Sequence, residues 1–205
     1  MLIASTIILA VLAALAVFGL SKSTLKDFRI GTVWAVVFLL LTIGLSFIPG
    51  IDIRGVFLLN VGAAFFYLIT LALFFVYGRF STQMTALAIS VVIGGVLYAA
   101  TRVAVLLGGA GTFFAHTNAV YAAIAGLLSF AFTRNGKYAF ICAGIAMLLL
   151  NMLTQIGSGA VTLWNGFAWT VLASGIAAVL YEMSAKLSVK PSKVSYYFEA
   201  GRLED

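Results

Sequence analysis

An all-α, polytopic transmembrane helical bundle of about seven helices is the fold class this sequence predicts, and three observations predict it. Of 205 residues, 63% are hydrophobic and only 9% are charged, against about 25% charged in an ordinary soluble domain. The apolar residues fall into seven long runs, 2–20, 31–48, 55–78, 82–107, 112–133, 138–156 and 160–183. Each run is close to the roughly 20 residues that a membrane-crossing helix needs. Finally, the basic residues gather in every second connection between the runs. A transmembrane barrel would instead show alternating strands of about ten residues, and the sequence has no such alternation.

The first run, 2–20, is expected to stay as a helix with its N-terminus outside. A secretory signal carries its positive charge ahead of the apolar stretch. Here Lys22, Lys26 and Arg29 follow the stretch, and Met1-Leu2-Ile3-Ala4 has no basic side chain. Ala14 and Ala16 make a small-residue pattern, so cleavage is the alternative.

The remaining runs are oriented by charge, because Lys and Arg concentrate in short cytoplasmic connections. Arg79 follows the third run, Arg134 and Lys137 follow the fifth, and Lys186, Lys190, Lys193 and Arg202 follow the seventh. Of the twelve basic residues, ten fall on one side, Arg54 falls on the other, and Arg102 lies within a run. The net charge of +6 is therefore topological, and no nucleic-acid partner is needed to explain it. Trp and Tyr favour both membrane interfaces. Trp34, Tyr77, Tyr138 and Tyr181 fall near the inner boundary, and Trp164 and Trp169 near the outer one. The expected organisation is a transmembrane domain over 1–183 and a cytoplasmic tail over 184–205, in the cell (plasma) membrane. That tail mixes Lys190, Lys193 and Arg202 with Tyr196-Tyr197-Phe198. It either touches the anionic leaflet or a partner or simply anchors the last helix. The single cysteine, Cys142, excludes a disulfide within the chain.

Polar side chains are costly in lipid and usually face the protein interior or a watery cavity. Asn60, Arg102, Asn118, Asn151, Gln155 and Asn165 all fall in outer halves of the runs, with Asp52, Arg54 and His116 as further candidates. At 1.5 Å rise per residue they lie within roughly 10 Å of the outer boundary. The inner halves show no comparable set. Asn151 and Gln155 are four apart and share a helix face. Asn118 shares its face with Tyr121, Ala122 and Ala125, and its expected direction is toward a pocket. Arg102 is the leading member, because an unpaired guanidinium there is expensive. The competing reading is that these residues only bridge helices, at about 0.6 kcal/mol apiece, while arginine snorkels to the interface.

Catalytic chemistry finds little support. A zinc site needs three or four His, Cys or carboxylate ligands, and the chain has one His and one Cys. Neither paired carboxylates for acid–base work nor a phosphate-loop context for Gly94-Gly95 or Gly108-Gly109 is present. Neither a cofactor nor a metal is expected.

Leu59-Asn60-Val61-Gly62-Ala63-Ala64 and Trp164-Asn165-Gly166-Phe167-Ala168 echo one another at the openings of the third and seventh runs. A duplicated hairpin or coincidence in a Gly- and Ala-rich chain would each explain this. The first of these segments belongs to a wider resemblance. It is joined by Ser46-Phe47-Ile48-Pro49, Ala125-Gly126, Arg134, Ala139-Phe140-Ile141 and Ile176-Ala177-Ala178-Val179-Leu180-Tyr181-Glu182. Over roughly residues 25–183 the chain resembles a family of uncharacterised multi-pass membrane proteins of bacteria, many of them spore formers, and archaea. The resemblance implies a fold and no activity. That family has an acidic residue near Asn151, where this chain has an amide, so no ion-binding role carries over.

The functional expectation is small-solute transport or binding through an outward-facing polar pocket. The alternative is a non-enzymatic scaffold or assembly subunit of an envelope or spore-membrane complex. An enzyme acting on lipid comes third, since Arg102 and His116 alone make a thin active site. Expected partners are the lipid bilayer, a small solute, and either a membrane-protein partner or a second copy of the chain.

Overall fold

The computed structural model describes residues 2–19, 22–53, 57–76, 79–107, 118–156, 161–162 and 166–188. Among them are helices α1 (Leu2–Val17), α2 (Lys22–Asp27), α3 (Thr32–Ser46), α4 (Val61–Val76) and α5 (Phe80–Leu107). They continue with α6 (Asn118–Thr133), α7 (Gly136–Gln155) and α8 (Phe167–Ser188). Three short strands join them: β1 (Ile51–Ile53), β2 (Phe57–Leu59) and β3 (Val161–Thr162).

Three helices are long and apolar enough to cross a membrane, Phe80–Leu106, Gly136–Gln155 and Phe167–Leu187, and four shorter apolar helices accompany them. Their outward faces agree. Val33, Val37, Leu40 and Leu41 on α3 and Val91, Val92, Val96 and Val103 on α5 are exposed. Helices apolar on every side suit a lipid solvent, and the chain is a membrane protein on this ground.

The long runs survive as helices, but their edges move. Residues 57–59 are strand, and α4 starts only at Val61. The run starting at 160 likewise opens with β3 and becomes helical at Phe167, and α8 continues past residue 183 to Ser188. Hydropathy cannot tell a short apolar strand from a helix segment; strand pairing decides. Strand β2 runs antiparallel to β1, with Ile51 opposite Leu59 and Ile53 opposite Phe57. It runs parallel to β3, with Phe57 opposite Val161 and Leu58 opposite Thr162. The sheet thus ties the α3–α4 connection to the α7–α8 connection. Residues 21–30, expected as a plain connection, contain α2.

Helix α8 is the most buried of the three long helices and packs against α7, α6, α1 and α2. In its spanning window 56% of residues are buried, against 22% for α5, which places α5 at the periphery. Small side chains let the helices pack closely. Ala122, Ala125, Ala139, Ala143, Ala146 and Ala173 are buried in the core shared by α5, α6, α7 and α8. Gly126 lies so close to α8 that a Cβ would stand 2.8 Å from the Ala173 carbonyl oxygen. In lipid, such close backbone approach replaces the hydrophobic drive available in water. A second core joins α1, α3, α4 and α8 through Leu9, Leu39, Ala63, Phe66, Phe167 and Val171. Phe66 meets Phe167 edge-to-face at 5.5 Å. A third core, Phe28, Phe74, Ala86 and Ile141, closes the end where α2 lies.

Candidate functional site

The bundle has two chemically distinct ends: the sheet end, and the basic end where α2 lies. The residues expected to line an outer pocket belong to the sheet end, and several are engaged in holding helix termini. Asn60 does not lie within a helix. It is the N-cap of α4, its Oδ1 accepting from the Ala63 amide at 3.1 Å while its Nδ2 donates to the Ser46 carbonyl at 3.1 Å. A capping side chain satisfies one of the four amides that a helix start leaves open. Asn151 donates to the Gly166 carbonyl at 3.3 Å, and Gly166 is tight against it because any Cβ there would collide with the Asn151 amide. Gln155 donates to the Asn151 carbonyl at 3.0 Å. Both hairpins are therefore clipped by an asparagine reaching across to the other helix. Their strands β2 and β3 pair in parallel.

Arg102 is exposed on α5, its Nε donating to the Tyr98 hydroxyl at 3.0 Å and its guanidinium lying 5.1 Å from the centre of that ring. Asn118 opens α6, half-buried, one turn before the buried Tyr121 and Ala122. Asp52 sits on β1 opposite Leu58. Arg54, His116 and Asn165 lie outside the described residues. Among the described residues no group of three His, Cys, Asp or Glu could hold a metal.

The inner halves were expected to be poor in polar side chains, yet the basic end holds a buried polar set. Glu182, 3% exposed, accepts from the Ser23 amide at 2.7 Å and pairs with Lys186 at 3.6 Å. Its carboxylate thus serves the N-terminal amides of α2, where negative charge is favoured. Asp27 does the same for α7, accepting from the Gly136 amide at 3.0 Å, beside the Asn135 side chain that accepts from Tyr138. At the C-terminus of α4, Lys137 donates to the Phe74 carbonyl at 3.1 Å. Gln83 donates to the same oxygen at 2.7 Å. Lys137, expected in the connection after the fifth run, is the second residue of α7 and 2% exposed. Its ammonium also lies 5.8 Å from the Phe74 ring centre and 5.7 Å from that of Tyr138. Sequence reasoning missed this set because each charge adjoins a connection and reads there as topology. The available signal was Glu182, an acid inside an apolar helical run.

Above this network lies a cavity of about 370 Å³, bounded by α1, α2, α3, α4, α7 and α8. Its walls are apolar and include Leu12, Phe38, Leu39, Phe66, Phe140 and Val179. At the basic end Thr24, Arg29, Gly31 and Trp34 form its rim. Thr24 is 2% exposed, and its hydroxyl is buried without a hydrogen-bond partner. Such a group ordinarily costs about 1–3 kcal/mol.

Arg29 holds φ at 58°, a left-handed conformation that suits glycine. It ends α2 in a Schellman turn, with the Ile30 amide bonded to the Leu25 carbonyl at 3.0 Å. Arg134, with φ at 47° just after α6, shares this conformation.

Comparison with known proteins finds no matching family, no matching curated protein and no matching solved structure.

Proposed function

We propose that this protein is a seven-span protein of the cell membrane, N-terminus outside and C-terminus inside, that binds an amphiphilic small molecule in the basic-end cavity. One observation carries the reading. The cavity is within the 300–1,000 Å³ range of small-molecule sites, its walls are mostly apolar, and Arg29 is the one charged residue among the described residues that line it. The expected class, binding or transport of a solute, is kept. The solute changes from water-soluble to membrane-soluble, and the site moves from the outer to the inner end. The orientation is supported by the basic residues gathered at that end.

Titration with a dansyl-labelled fatty acid tests this reading in detergent-purified protein. Saturable binding near one per chain is expected, and Ala35→Phe, which fills the cavity from α3, should weaken it at least tenfold. Equal binding by both proteins would refute the site. A scaffold role would instead show as a stoichiometric protein partner after crosslinking in native membranes.

A further inference from the structure

We infer that the occupant of this cavity is an anionic membrane lipid of the basic-side leaflet, one chain inserted between the helices and its phosphate-bearing head held at the rim. The inference rests on the cavity reading above and adds the chemistry of the head group.

The first ground is volume. At about 370 Å³ the cavity is in the size range of small-molecule sites, room for a length of acyl chain between the helices. The walls offer such a chain mostly carbon, from Leu12 at one side to Phe140 and Val179 at the other, with Thr70 as a polar exception on α4.

Charge is the second ground. Residues 22–31 contain Lys22, Lys26 and Arg29 against Asp27 alone. Three positive charges less one negative leave +2. Lys22, Lys26 and Arg29 are exposed. Juxtamembrane basic residues attract anionic lipid by about 1 kcal/mol each, and arginine matches a phosphate with two parallel donors.

The third ground is the Thr24 hydroxyl, buried on the cavity lining and without a partner. A small shift of α2, only six residues long, would let a phosphate or ester oxygen at the rim reach and satisfy it.

The experiment is native mass spectrometry of the full chain released from nanodiscs of phosphatidylcholine with a tenth of phosphatidylglycerol. Wild type is expected to retain one phosphatidylglycerol in preference to phosphatidylcholine by more than tenfold over the bilayer ratio. Arg29→Gly relieves the backbone, so it should fold at least as well while its preference falls about tenfold. Thr24→Val should raise the melting temperature of the delipidated protein and reduce retention, opposite signs that a purely structural threonine could not give. Ala35→Phe should abolish retention of both lipids, and Arg102→Gln, far from the cavity, should change nothing. Equal retention of the two lipids, lost in Ala35→Phe, overturns the anionic head group and leaves the cavity reading standing. Loss of neither lipid in Ala35→Phe overturns both readings. An unchanged preference in Arg29→Gly removes the arginine's role and with it this inference.

Discussion

Glu182→Ala should loosen α2 from the bundle, and the structure sets the size of the effect. The carboxylate is 3% exposed and holds the Ser23 amide at 2.7 Å. A hydrogen bond to a charged group contributes about 1.5–3 kcal/mol. Its ion pair with Lys186, whose side chain is 56% exposed, adds less than about 1 kcal/mol. The dominant loss is therefore the cap, about 2 kcal/mol, which corresponds to roughly a 30-fold shift in an equilibrium. Because α2 is only six residues long, it cannot stand as an isolated helix, so the loss should appear as local opening. Thr24→Cys in a Cys142→Ala background places a thiol at a position that is 2% exposed. Its maleimide labelling should quicken by about 30-fold when Glu182→Ala is added. Lys186→Ala should change the rate by less than about threefold, in keeping with a half-exposed pair. Unchanged labelling in Glu182→Ala, or an equal response to Lys186→Ala, would refute the assignment of Glu182 as the tie that holds α2.

Other expectations concern the sheet end, the α4 terminus and the topology. Gly62→Ala pushes a Cβ into the Ser46 side chain and backbone and should cost about 1–3 kcal/mol by overpacking. Gly95→Ala meets nothing within 4 Å and should stabilise α5 slightly, by about 0.5–1 kcal/mol. Thermal unfolding of the two in detergent checks both signs. Asn60→Ala removes a helix cap and should lower stability by about 1 kcal/mol, readable in the same assay. Lys137→Ala should expose the α4 terminus to proteolysis, whereas a lysine that is merely solvated would give no change. Single-cysteine labelling in intact cells, again with Cys142→Ala, should reach residues 108–111 and 157–159 from outside and residues 79–81 only after permeabilisation. Outside labelling of residues 79–81 would reverse the orientation.

The helical bundle was legible from composition and run length alone, because lipid demands that backbone groups be satisfied within each segment. Among the described residues three helices are long and apolar enough to cross a membrane, and four shorter apolar helices accompany them. The basic end was legible too, since charge placement along the chain is a property of sequence. Tertiary structure decided what each polar residue does. Asn60 and Asn151 read in sequence as potential pocket residues, and packing turned them toward Ser46 and Gly166. Glu182 lies 159 residues from the Ser23 amide it accepts from, and no local pattern reports a contact at that separation. The cavity is a gap left between six helices by small residues such as Ala35 and Gly175. Its volume depends on helix separations that a one-dimensional sequence does not state. The hydropathy that placed the chain in lipid is a sum over residues. The site depends on which residues meet, and only the packed fold decides that.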